Sequence, residues 1–182
     1  MIKRTQAGYP VLVMPDDRIQ LEAMFGLEHA TEREQAALDD YRDPIAKAVF
    51  LFAVRCLAQL GYLPDLERVP PGILTYVGDQ VEAVIPTRYL RDRPARRSEI
   101  LTTVRAVLDY QRWTAEREGP LRELLLTLAL DHPREADLVI AAVERLREWR
   151  VELPAEATLV TMVESVLQQV EDETYTEVLR RA

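Results

Sequence analysis

Residues 88–97 read Arg-Tyr-Leu-Arg-Asp-Arg-Pro-Ala-Arg-Arg, five arginines in ten positions of a 182-residue chain whose formal net charge is −8. A guanidinium group presents a planar fork of donors that fits phosphate oxygens or the edge of a guanine, so arginines at a helix start beside a duplex could bind DNA. On a solvated linker the same side chains need no partner. The charge is unevenly spread: residues 1–87 carry −5, residues 88–112 carry +4 and residues 113–182 carry −7. Arg105 and Arg112 extend the positive island. Acidic flanks argue against indiscriminate binding to nucleic acid, which needs a positive face to neutralise phosphates. Lys3 and Lys47 are the only lysines among 23 basic residues, so a preference for arginine runs through the whole chain and is not itself a functional signal.

Other chemistry has little material. The single cysteine, Cys56, sits in an apolar stretch and reads as a core filler, which fits a reduced compartment without disulfides. His29 and His132 are far apart and have no cysteine near them, so no metal site is expected. No glycine-rich phosphate loop and no serine-histidine-aspartate set is legible, and no cofactor or catalytic residue is assigned. Asp39-Asp40 and Glu171-Asp-Glu173 read as solvated helix faces. Phe50, Phe52, Tyr76, Trp113 and Trp149 fall on or beside apolar stripes and read as core.

No run approaches the roughly 20 apolar residues of a membrane span, and the start of the chain lacks the apolar core of a signal peptide. The expectation is a cytoplasmic protein without membrane contact.

The elements that must position the arginines are helices. Apolar residues make up 48% of the chain, and period-two alternation is confined to Tyr9–Met14. The fold class is therefore all-α. Thr31-Glu-Arg-Glu34 has capping-box spacing and opens the first clear helix. Asp43 and Pro44 launch a long helix, apolar on nearly every side, that Gly61 ends in a left-handed conformation. A further helical segment covers 73–85, up to Pro86. From about Ala95 to Tyr110, Ile100, Val104, Val107 and Leu108 recur at helical spacing, and Arg97 and Arg105 are expected away from that stripe. Thr114 begins a helix to about Leu130, Asp131 and Pro133 begin another, and Thr158 starts a last helix of about 20 residues. Pro86 and the change of charge sign place a junction near residues 84–95. Two helical modules follow, 1–87 and 88–182.

The block Ala46–Val81, "AKAVFLFAVRCLAQLGYLPDLERVPPGILTYVGDQV", resembles the N-terminal region of replicative transposases of the Tn-three type. Lys47, Phe50, Gly61, Leu63, Pro64, Asp65, Val69, Pro70 and Gln80 carry the match. Tyr89, Arg91, Arg96 and Arg97 match the tyrosine and arginine cluster that come next in that family. "DYQRWTAERE", "LREWRVELPAEATLVTMV" and Tyr175 continue the similarity, so that it spans about Phe25 to Leu179. Ala46–Phe50 departs from the family's Asn-Arg-Leu-Gly-Phe, and Glu99 or Ile100 stands where the family has a histidine.

The resemblance implies sequence-specific binding to double-stranded DNA, the terminal inverted repeats of a transposon, by helix-turn-helix-like modules docking in successive grooves. It also implies that the DNA-cutting acidic triad lies outside these residues, so the chain is expected to recognise ends without being an enzyme by itself. Arg96 and Arg97 are the leading candidates for DNA contact. Arg91, Arg93 and Arg88 lead into them, an arm in the minor groove being one geometry, and Arg105 and Arg112 follow. Lys47 and Arg42 are the candidates from the first module. The rival reading is a non-catalytic protein-interaction or dimerisation module built from the acidic helices after Thr114, with a second copy of the chain as partner.

Overall fold

The structure, a computed structural model, describes residues 2–131 and 134–181. Eight α-helices and one two-stranded pairing are present among them. The strands β1 (Ile2–Arg4) and β2 (Pro10–Leu12) are short, and β2 falls within the alternating stretch Tyr9–Met14. The all-α class holds. No helix among the described residues is long and apolar enough to cross a membrane.

The chain divides into two compact units, one of Met1–Lys3 with Val11–Gln111, the other of Arg4–Pro10 with Arg112–Ala182.

In the first unit, α3 (Pro44–Leu60) is the central element. Asp43 caps it by accepting from the Ile45 amide at 3.1 Å, Pro44 fixes its first turn, and Gly61 ends it at φ +88°, where a side chain would be strained. Eleven of its residues are buried, and α1 (Arg18–Phe25), α2 (Glu32–Asp39), α4 (Pro71–Asp79) and α5 (Pro94–Leu108) pack around it. Phe25 of α1 stacks on Phe52 at 5.9 Å between ring centroids, and Tyr41 tilts against Phe50 at 5.2 Å. Cys56 is buried in the same core, and burial pushes its thiol pKa well up, which suits a packing residue and not a nucleophile.

Three elements differ from expectation. Helix α1 precedes Thr31, capped by Asp17 accepting from the Gln20 amide at 2.8 Å. Helix α4 stops at Asp79 instead of reaching Ile85. The amides of Val81 and Ala83 both turn back to the Gly78 carbonyl, and Glu82 takes φ +55°. The Gln80 side chain there accepts from the Leu27 amide and donates to the Phe25 carbonyl at 3.1 Å, so a tie to the end of α1 replaces a further turn of α4. Most consequential, α5 buries Ile100, Leu101 and Val104 in the same core as α3. The arginine stretch therefore lies inside the first unit, and the division falls at Gln111/Arg112, not at 87/88.

The second unit contains α6 (Glu118–Ala129), α7 (Glu135–Glu148) and α8 (Glu156–Arg181), which pack pairwise. Thr114 precedes a short 3-10 turn, Ala115–Arg117, rather than capping α6 directly. Pro133 and His132 lie outside the described residues. Trp113 and Trp149, like Tyr76 of the first unit, are only partly buried, whereas Phe50 and Phe52 are buried as expected.

The turn of the β1–β2 pair belongs to the second unit through Tyr9, whose buried hydroxyl donates to the Pro154 carbonyl at 2.7 Å. Tyr9→Phe leaves that carbonyl unsatisfied in an apolar setting and is expected to cost about 1–2 kcal/mol. Urea unfolding followed by circular dichroism measures it, and an unchanged midpoint would show that water takes over the bond.

Candidate nucleic-acid interface

Local geometry explains why the arginine stretch is presented on the surface. Tyr89 is 4% exposed and anchors the segment: its hydroxyl donates to Asp43 at 2.9 Å, the same carboxylate group that caps α3. Burial raises the pKa of this phenol, so it stays a donor. Leu90 is buried beside it, and Pro94 at the first helical position of α5 starts the next element. Tyrosine, leucine and proline pin the backbone, and the arginines between them face outward.

Their surroundings differ. Arg88 and Arg91 both reach Glu67, at 3.3 and 2.8 Å, and Arg91 also approaches Asp92 at 3.6 Å. Arg93 lies over the Tyr89 ring, 4.7 Å from its centroid. Arg96 meets both carboxylate oxygens of Glu99, at 2.8 and 2.9 Å. Arg97 is exposed and has no ion pair among the described residues. It precedes Ile100 and Leu101 by three and four residues, so it lies on the buried side of α5, not away from it. It is nevertheless solvated because the first turn, except Arg96, is exposed. Exposed ion pairs of this kind contribute about 0 to 1 kcal/mol each, so Arg88, Arg91 and Arg96 can exchange partners at small cost.

Arg105, half-buried, sits two turns further along α5, whereas Arg112 is exposed in the second unit. Lys47 is half-buried near the start of α3, and Arg42 is exposed in the α2–α3 turn. Arg42 and Arg96, distant in sequence, line one cleft of about 360 Å³ together with Asp40, Tyr41, Glu99 and Thr103. Sequence reasoning missed Tyr41, Thr103 and the two counter-ions. Glu99 was legible as an i,i+3 partner of Arg96; Glu67 was not, because it comes from a separate 3-10 turn, Leu66–Arg68.

The helix that could enter a groove is α5. The α2–α3 connection is short, but α3 is buried along most of its length and has no free face for DNA. Helix α5 exposes its N-terminal turn, which has no side-chain cap and no acidic residue. Its free amides and the positive end of its dipole favour an anion there, and Arg93, Arg96 and Arg97 add three guanidinium groups. Among the described residues, no group of three histidine, cysteine or acidic side chains could hold a metal ion.

No curated protein matches the sequence. A family model does match, over residues 6–166, which takes in most of both units. The chain thus belongs to the family described as a domain of unknown function, DUF4158.

Proposed function

We propose that this chain is a sequence-specific DNA-binding region that recognises the terminal inverted repeats of a transposon, as the N-terminal part of a transposase, and has no catalysis of its own. The observation that carries the reading is the start of α5, where Arg97 has no acidic partner and Arg93 and Arg96 flank an uncapped, acid-free helix turn. The resemblance to replicative transposases supports the same role. In this reading α5 presents its N-terminus to the duplex, Arg88 and Arg91 give up Glu67 for phosphates, and the acidity elsewhere restricts DNA to this face. The protein acts in the cytoplasm at the nucleoid.

The test is binding to a duplex carrying the inverted repeat that bounds its own gene, against a scrambled duplex, over a salt series. Tighter binding to the repeat is expected, with an affinity that falls steeply as salt rises. Undetectable binding to both duplexes at low salt would overturn the reading.

A second reading, an interaction module, draws on the end of α8. Tyr175, Val178 and Leu179 follow i, i+3, i+4 spacing and are 67%, 60% and 59% exposed. Light scattering after size exclusion tests it: mass rising with concentration supports self-association, and a monomer throughout removes it.

A further inference from the structure

The Tyr41 side chain is 93% buried by its 7% exposure, yet its hydroxyl has no hydrogen-bond partner among the described residues. A buried hydroxyl left unmade is costly, so its retention asks for a partner that arrives from outside. The polar groups that act on this hydroxyl are Thr103, Glu99, Arg96 and Asp40, and these same residues line the cleft that Arg42 completes. Thr103 makes no hydrogen bond to it, and the Thr103 hydroxyl donates to the Glu99 carbonyl at 3.2 Å.

The charges of the cleft decide what could enter. Of its three carboxylates, Asp43 is occupied by the Tyr89 hydroxyl and the Ile45 amide and Glu99 by Arg96, while Asp40 has no ion pair among the described residues. Arg42 has no ion pair among the described residues. What the cleft offers an anion is therefore one unpaired guanidinium, one that is loosely held, and one hydroxyl lacking an acceptor, set against the single unpaired carboxylate of Asp40. A phosphate oxygen satisfies all three: it accepts from Tyr41 and takes bidentate bonds from arginine.

We propose that this cleft seats a phosphate of the DNA backbone, with Tyr41 and Arg42 as direct contacts and Arg96 swinging from Glu99 to join them. The proposal rests on the DNA-binding reading above. It adds a clamp formed by the α2–α3 turn to the arginines of α5, and it makes Glu99 a built-in competitor of the phosphate.

Four proteins separate the outcomes: the wild type, Tyr41→Phe, Arg42→Ala and Glu99→Gln, each titrated with the inverted-repeat duplex across a salt series and each melted alone. Tyr41→Phe is expected to weaken duplex binding about 3- to 10-fold while its Tm stays level or rises, because an unsatisfied buried hydroxyl has gone. A merely structural tyrosine would not part these two readouts. Arg42→Ala should weaken binding and reduce the salt slope by about one phosphate contact. Glu99→Gln should bind more tightly than wild type, since Arg96 is released. If the wild type binds the duplex and Tyr41→Phe and Arg42→Ala bind as well as it does, the clamp is overturned and the DNA-binding reading stands. If no duplex is bound, both fall. Inorganic phosphate titrated at matched ionic strength distinguishes the source of the anion: binding that depends on Tyr41 and Arg42 with no such dependence for the duplex would make the ligand a free anion and overturn the clamp.

Discussion

Glu34→Ala is expected to destabilise the first unit by about 3–5 kcal/mol, a large share of what a domain of this size has to lose. The Glu34 carboxylate does two things at once. It closes the capping box of α2, accepting from the Thr31 amide at 2.8 Å while the Thr31 hydroxyl accepts from the Glu34 amide at 3.3 Å. It also meets Arg55 of α3 at 3.2 Å, and the two side chains are only 8% and 11% exposed. Losing the cap alone costs about 1 kcal/mol. Leaving Arg55 charged and unpaired in the core costs more, because its Nε is already buried without a partner and its remaining bond, to the Gly26 carbonyl, is long at 3.3 Å. Guanidinium unfolding of the single variant and of Glu34→Ala/Arg55→Met checks the argument. The double variant should recover part of the loss, since no buried charge then remains. A single variant within 1 kcal/mol of wild type would mean that water reaches the pair.

Half of this arrangement was legible. Thr31-x-x-Glu34 is a local pattern, and the cap it promised is present. The ion pair was not, because it joins positions 21 residues apart on different helices, and nothing in the pattern around Arg55 says which neighbour it faces. The same division runs through the fold. Asp43-Pro44 and Gly61 fix the ends of α3 by short-range rules, so they were readable. The end of α4 depends on Gln80 reaching the backbone at Phe25 and Leu27, so it was not.

Much of the resemblance also proves to be architectural. Phe50, Leu63 and Val69 are buried, Gly61 is a left-handed cap, and Asp65 accepts from the Glu67 amide at 3.1 Å. Residues that build a scaffold give its shape and leave its ligand unnamed. At the candidate interface, composition located the arginines correctly on the surface. It misjudged their setting, because apolar Ile100, Leu101 and Val104 tie α5 to α3 more strongly than Pro86 and a change of charge separate them.

Replacing Arg96 and Arg97 together by alanine is expected to weaken binding to the inverted-repeat duplex by about 2–4 kcal/mol, roughly 30- to 1,000-fold, if each supplies a bidentate contact. The fold should tolerate this, since Arg97 has no ion pair among the described residues and the exposed Arg96–Glu99 pair adds little. Arg97→Ala alone should lose more than Arg96→Ala, because Arg96 must first leave Glu99, whereas Arg97 leaves nothing behind. The pattern of loss also assigns the contact. An equal fall on inverted-repeat and scrambled duplexes, with a shallower salt slope, identifies phosphate contacts; a fall confined to the inverted repeat identifies base edges. The first turn of α5 favours anions through its free amides, so Arg96, which lines the cleft together with Arg42, is expected to follow the phosphate pattern. Arg97 lies outside the cleft lining and is the residue expected to follow the base pattern. A double variant that binds the repeat within twofold of wild type would remove α5 from the interface and shift attention to the second unit, where Arg112 is exposed.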